Sequence, residues 1–153
     1  MNLDSSEPLI RRLTRLDVPR VIAILEESPE AASWSEHSLI QNIAGGQPAW
    51  VAEENGKVCG FLIGRLVVDE FEILNVAVAH TSRRRGIGSK LVAAALEFAR
   101  QSGSPRAYLE VRASNRSAIA LYGRHGFAPC GRRSQYYRNP VEDALLFSLQ
   151  MDS

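Results

Sequence analysis

The sequence predicts an α/β (α+β) protein built on a mixed, mostly antiparallel sheet of about six to seven strands, with helices on both faces. Three observations carry that prediction. Short runs rich in Val, Ile and Leu recur from the start of the chain to its end. Asn55-Gly56 is a strong two-residue hairpin signal between two of them. Two apolar stripes at helical spacing separate later strand runs and so read as crossovers.

Taken in order, "LIRRLT" (Leu9 to Thr14) reads as a first strand. Asp17 is placed to cap a helix with Pro19 in its first turn, and Val21, Ile22 and Leu25 form its apolar stripe. "SPEAAS" breaks that helix, and Ser35 caps a second one through Ile43, ended by Gly45-Gly46. "AWVAEE" and "KVCGFLIGRLVV" are the hairpin strands, and Asp69-Glu70 turn the chain into "FEILNVAVA". A helix follows from about Gly86 to Ser102, with Ile87, Leu91, Val92, Ala95, Leu96 and Ala99 on one face and Gly103 as its stop. "RAYLEVRA" is a strand. Asn115 or Ser114 then caps a helix from about Arg116 to Arg124, with Ala118, Ile119, Leu121 and Tyr122 apolar, and Gly126 ends it. "FAPCGRR" and "DALLFSLQM" close the chain as strands joined through "SQYYRNP".

The 153 residues suit a single domain with its core over about 9–150 and a flexible leader over 1–8. Lys plus Arg number 18 and Asp plus Glu 17, a net charge of +1 that gives no whole-molecule attraction to nucleic acid or to a membrane surface. Only Lys57 and Lys90 are lysines, so arginine carries nearly all the positive charge, and its planar fork suits phosphate and carboxylate. Cys59 and Cys130 lie far apart in apolar contexts and read as buried, inert thiols. No apolar run approaches the length of a membrane span, and the N-terminus lacks the blocks of a signal peptide. A cytoplasmic location is the expectation.

The sharpest local feature is "VAVAHTSRRRGIGSKL", Val76 to Leu91. A strand feeds a short loop, then arginines and two glycines, then a helix start. The first turn of a helix offers unpaired N–H groups and the positive end of the macrodipole. Gly86 and Gly88 remove side chains that would hold a phosphate away from those amides. A dinucleotide fingerprint would need a small residue where Leu91 stands, and a nucleotide P-loop would need Lys before Ser rather than Ser89-Lys90. On these residues alone a solvated charge run before an ordinary helix is an equal reading.

"RRRGIG" resembles the acyl-CoA signature of the GNAT family of N-acetyltransferases, with Arg83, Gly86 and Gly88 filling its fixed positions. The preceding "NVAV" and the later "LEVRASNRSAIALYGRHGF" resemble that family in order and spacing. The later segment is similar to the bacterial ribosomal-protein-alanine N-acetyltransferases, the RimI-like subgroup. "WSE" at Trp34 to Glu36, "DE" at Asp69-Glu70 and "YY" at Tyr136-Tyr137 fit that subgroup, whereas "RNPVE" does not closely match it. The resemblance runs from about Ile10 to Leu149.

It implies a sheet that splays open beside Val76, Ala77 and Val78, with the pantetheine arm of acetyl-CoA, the co-substrate, in the gap. It implies a pyrophosphate site on the amides of about Arg84 to Ser89, so that Arg84, Arg85, Ile87 and Ser89 join Arg83, Gly86 and Gly88 as cofactor-binding residues. Asn115 and Tyr122 approach the thioester end. The acceptor implied is a protein or peptide N-terminus, the N-terminal alanine of a small-subunit ribosomal protein. Oligomeric state is not legible in the sequence.

An amine attacks a thioester only as the neutral base, and a thiolate is expelled. The chemistry needs a proton acceptor near the amine and a donor near the sulfur, and neither a metal nor a cysteine nucleophile. Glu110, in "YLEVR", is the candidate acceptor, because a partly desolvated carboxylate on the inner side of a strand gains basicity. As a strand residue alone it reads rather as a surface Glu paired with an arginine such as Arg112. Tyr122 is the candidate donor, with packing against Phe127 as the alternative. His37, His80 and His125 share no ligand spacing and read as surface or loop residues. Trp34, Tyr136 and Tyr137 fall in loop-like segments where aromatics can wall an acceptor peptide or pack on the core. Besides protein N-terminal acetylation, the same scaffold could serve a small-molecule amine or a lysine, or bind CoA without catalysis.

Overall fold

A computed structural model describes residues 7–29, 31 and 34–151. The expected flexible leader lies outside the described residues up to position 6, and so do positions 30, 32 and 33 of the expected helix break. The strands are β1 (Leu9–Arg12), β2 (Ala49–Glu54), β3 (Lys57–Val67), β4 (Glu70–Val78), β5 (Arg106–Arg112), β6 (Ala128–Tyr137) and β7 (Glu142–Gln150). The helices are α1 (Val18–Glu26), α2 (Glu36–Ala44), α3 (Ile87–Gln101) and α4 (Arg116–Arg124). One seven-stranded sheet has the order β1-β2-β3-β4-β5-β7-β6, and all its neighbours are antiparallel except β4 and β5. The mixed, mostly antiparallel sheet expected from the sequence is therefore present.

Helices cover both faces. The six α3 positions picked out by the helical stripe are all buried, against β2, β3 and β4. Each buried leucine or isoleucine contributes about 1.5–3 kcal/mol. α4 packs on the same face through Ala118, Ile119, Leu121 and Tyr122. On the other face α1 and α2 bury Val18, Val21, Ile24 and Leu39 over Val51, Phe61 and Ile63. Among the described residues no helix is long and apolar enough to cross a membrane.

Several local expectations hold. Ser35 accepts a hydrogen bond from the Ser38 amide at 3.0 Å and so caps α2. Asn55 and Gly56 make the β2–β3 turn with φ of 52° and 76°. Others are corrected. Asp17 does not cap α1; its carboxylate accepts from the Thr14 amide at 2.8 Å and receives the Arg11 guanidinium at 2.9 Å. The second hairpin turns one residue earlier than expected, at Val68, whose φ of 58° puts a β-branched residue in the left-handed region. Cys59 is buried, but Cys130 is exposed, because it lies on the edge strand β6.

β6 also runs further than expected, through "SQYY", so Tyr136 and Tyr137 end a strand rather than fill a loop. Its pairing with β7 slips twice, between Pro129 and Gly131 and between Arg133 and Tyr137. The second slip includes Gln135, with φ of 50°.

The feature that positions the site is the parting of β4 from β5. Their parallel pairing runs only from Phe71↔Ala107 to Ile73↔Leu109. There the β3–β4 register shifts, Gly64 facing Ile73 and Ile63 facing Asn75, which leaves Leu74 as an extra residue and bends β4. Beyond it Asn75 to Val78 stay with β3, while Glu110 to Arg112 stay with β7. The sheet splays between them.

Candidate functional site

The parted strands open a cleft of about 420 Å³. Val76, Ala77 and Val78 form one wall, α4 forms the other through Asn115, Ser117, Ala118, Leu121 and Arg124, and the β4–α3 loop closes the outer end. A smaller cavity of about 30 Å³ continues inward, lined by Leu74, Asn75, Glu110, Arg112, Tyr122 and Tyr137 among others. Ala31, Val76, Asn115 and Ala118 line both, so the two adjoin.

The outer end is built by the start of α3. Gly86 precedes the helix with φ of 76°, a conformation that costs residues with a Cβ. Its carbonyl accepts from the Lys90 amide at 3.1 Å, the first bond of the helix. The amides of Ile87, Gly88 and Ser89 therefore have no partner within the helix, and all three residues line the cleft. A Cβ on Gly86 would meet nothing within 4 Å, so the approach is open. Gly88 is different: its Cβ would stand 3.3 Å from Leu121 Cδ2, so its bareness serves the contact of α3 with α4.

The arginines separate. Arg84 lines the cleft. Arg83 lines it too, but its guanidinium donates to the Val78 carbonyl at 3.1 Å and to Ser28 Oγ at 3.3 Å, tying the loop to β4 and to the end of α1. Arg85 turns away and pairs with Glu54 at 2.9 Å, and it does not line the cleft. Ser89 Oγ lies 2.8 Å from His125 Nε2, so His125 braces α4 against the first turn of α3. Burial, then Arg124, push the His125 imidazole below its ordinary range.

At the inner end Asn115 Oδ1 accepts from the Ala118 amide at 3.2 Å and caps α4. The preceding loop is held by Glu142, which accepts from Ser114 Oγ at 2.9 Å, the Ser114 amide at 3.0 Å and Arg112 at 3.2 Å. The Ser114 hydroxyl and then Arg112 hold the Glu142 carboxyl below its usual range. Arg112 is thus engaged by Glu142, and its guanidinium lies 4.4 Å from the Tyr137 ring centre.

Glu110 pairs not with Arg112 but with Arg133, Nε to Oε1 at 3.2 Å. Tyr122, 5% exposed, meets Phe127 edge-on at 5.8 Å between ring centres while lining the small cavity. Packing and cavity lining are both true of it. Burial, with Tyr137 nearby, pushes its phenol far above the ordinary value. Tyr137 is pushed up to about 12 by burial and then by the Glu110 charge.

Glu110, Tyr122 and Tyr137 are thus brought to one cavity, and Val76, Ala77, Val78, Arg83, Arg84, Gly86, Ile87, Gly88, Ser89 and Asn115 to the cleft beside it. Trp34 lies outside both, partly buried against the core beneath α1 and α2. Tyr136 is half-exposed and stacks edge-on to Tyr137. Sequence reasoning missed Ser117 and Arg124 on the cleft wall, though with Leu121 they follow the helical period of α4. Arg133 and Glu142 carried no local signal, because their partners come from other strands. Among the described residues no three of His, Cys, Asp and Glu gather as a metal site.

Residues 15–127 match the model of the Acetyltransferase (GNAT) family. The chain is 34% identical, over 92% of its length and 95% of the relative's, to the ribosomal protein bS18-alanine N-acetyltransferase of Escherichia coli. It is 32% identical to the N-alpha-acetyltransferase RimI of Mycobacterium tuberculosis, covering 100% and 98% of the two chains. The crystal structure of the Escherichia coli enzyme superimposes with a TM-score of 0.85 at 31% identity, over 95% of each chain. yncA of Salmonella typhimurium, solved with its cofactor acetyl-CoA, shares the fold at a TM-score of 0.82 and 23% identity, over 97% and 96%.

Proposed function

The chain belongs to the GNAT family of acetyltransferases and is an N-acetyltransferase; on that premise we propose that its acceptor is a protein N-terminal α-amine, the N-terminal alanine of a small-subunit ribosomal protein in the cytoplasm. The observation that carries the reading is the meeting of Glu110 and Tyr122 on one small cavity at the inner end of a cleft that begins at the bare first turn of α3. The names of the relatives matched over nearly the whole chain support the acceptor.

The cleft suits acetyl-CoA. Its volume is in the range of small-molecule sites. The open approach at Gly86 and the unpartnered amides of Ile87, Gly88 and Ser89 suit a pyrophosphate, with Arg84 beside them. Val76, Ala77 and Val78 would line the pantetheine arm, and Asn115 would stand near its end. Bound there, acetyl-CoA supplies an acetyl group activated as a thioester.

Glu110 accepts the proton that the acceptor nitrogen gives up, directly or through one water. Tyr122 keeps its phenol proton at every working pH, because burial holds the group above its ordinary range. It always has an O–H to offer the sulfur. Full transfer to a thiolate is uphill from so weak an acid, so hydrogen bonding to the developing charge is its larger contribution.

An α-amine, with a pKa of about 7.7–8.0, is roughly one-tenth neutral at pH 7, while a lysine at about 10.4 is neutral in about one molecule in 2,500. A single carboxylate suits the easier task. The test is a pair of peptides, one with free N-terminal alanine and blocked lysines, the other with a blocked N-terminus and free lysine, followed by intact mass. Faster acetylation of the first is expected; faster acetylation of the second would move the acceptor to lysine.

A further inference from the structure

The carboxylate of Glu110 already holds a cation. Arg133 reaches it from the edge strand β6, with its own side chain 55% exposed and that of Glu110 23% exposed. The Arg133 guanidinium stands 5.7 Å from the ring of Tyr136, Tyr136 meets Tyr137 edge-on at 5.1 Å, and Tyr137 lines the cavity with Glu110 and Tyr122. At about 30 Å³ that cavity has room for about one water, and an acceptor terminus needs several times more. Something at its mouth has to yield when the acceptor enters. Arg133 and Tyr137 flank the stretch where the pairing of β6 with β7 is broken, and the exposed Arg133 side chain is the group there able to yield.

We propose that Arg133 is a positioning residue that occupies the place of the acceptor's ammonium beside Glu110 and gives it up when the acceptor arrives. The inference rests on the reading of Glu110 as the base. An α-amine at pH 7 arrives about nine-tenths as ammonium, so one cation replaces another. Glu110 is never left unpaired in a partly desolvated gap, where a lone carboxylate is costly. The displaced guanidinium keeps the face of Tyr136 as a partner. The price is competition: the resting ion pair weakens acceptor binding by the factor such a pair is worth, about two- to fivefold.

The experiment measures, by calorimetry, the affinity of a peptide with an N-terminal alanine for the full chain saturated with CoA. Arg133→Ala and Arg133→Gln should bind the peptide about two- to fivefold more tightly than wild type. Arg133→Lys, which restores a cation, should return the affinity toward wild type. In a Glu110→Gln background Arg133→Ala should change nothing, because the place it vacates is no longer charged. Circular dichroism identifies any variant that fails to fold, and the remaining one of the Ala and Gln pair decides. Weaker or unchanged peptide binding in that folded variant overturns the inference, since Arg133 would then grip the acceptor or stand apart from it. Failure of the underlying reading looks different: Glu110→Gln would then turn over at the wild-type rate, whatever Arg133 does.

Discussion

At its outer end the cleft is organised by backbone: three amides at the start of α3, a glycine with φ of 76°, and the edge of β4. At its inner end it is made of side chains brought from two strands and a helix, Glu110 from β5, Tyr122 from α4, and Tyr137 from β6, with Arg133 of β6 paired to Glu110. A backbone site tolerates exchange of most side chains around it, provided the turn geometry survives. A side-chain site fails when any one functional atom is removed, yet leaves the rest of the cleft intact. The two ends should therefore respond to mutation in different currencies, affinity at one and turnover at the other.

The largest effect expected is at the inner end. Glu110→Gln and Tyr122→Phe should each lower turnover by about 10²-fold or more, with acetyl-CoA affinity nearly unchanged. Turnover read by intact mass and affinity by calorimetry separate the two quantities. Either variant, correctly folded and working at the wild-type rate, loses its assigned role. Next comes Gly86→Val, which places a β-branched residue at a left-handed φ. Acetyl-CoA affinity should fall by about tenfold or more, with turnover at saturation largely kept. Unchanged affinity would break the comparison at its outer end.

A pH titration probes the inner end by another route. Tyr122 and Tyr137 both hold their protons above the ordinary phenol value, Tyr137 up to about 12. The folded protein then keeps protons that the unfolded chain loses near pH 10, so stability should be fully present below about pH 10 and decline as pH climbs toward about 12. Urea unfolding across that interval reads the slope, and a Tyr137→Phe variant should flatten it. The smallest effect sharpens the contrast. Gly88→Ala gains up to about 1 kcal/mol of helix propensity and spends a similar amount against Leu121, 3.3 Å from the new methyl. Acetyl-CoA affinity should stay within about twofold. A tenfold loss would mean that the missing side chain of Gly88 serves the phosphate site.

The same contrast explains what was legible in the sequence. The outer end is contiguous, so "RRRGIG" before an apolar helical stripe announces a helix start open to anions. The strand and helix order follows from local periodicity, and it places all seven strands. The inner end depends on register. That Glu110 pairs with Arg133 rather than Arg112 follows from β7 lying between β5 and β6, with Leu146 opposite Glu110 on one side and Gly131 on the other. No local pattern encodes that. Tyr136 and Tyr137 read as loop residues in the sequence because a strand with broken pairing lacks the alternation that marks a strand. Asp17 stands at the N-cap position that the sequence indicates, but its carboxylate is taken by Arg11, a partner that no local pattern marks.

The two slips in β6 also shape how the molecule meets copies of itself. A sheet left open at its rim offers unpaired amides and carbonyls on which a further strand can template. One rim here is β1, only four residues long. The other is β6, ten residues and almost wholly exposed. Pro129 offers no N–H, Arg132 and Arg133 bring charge, and the two register breaks leave no long straight stretch. Neither rim is a good seed for sheet growth, so the irregularity beside Arg133 also keeps the exposed rim from propagating into aggregates.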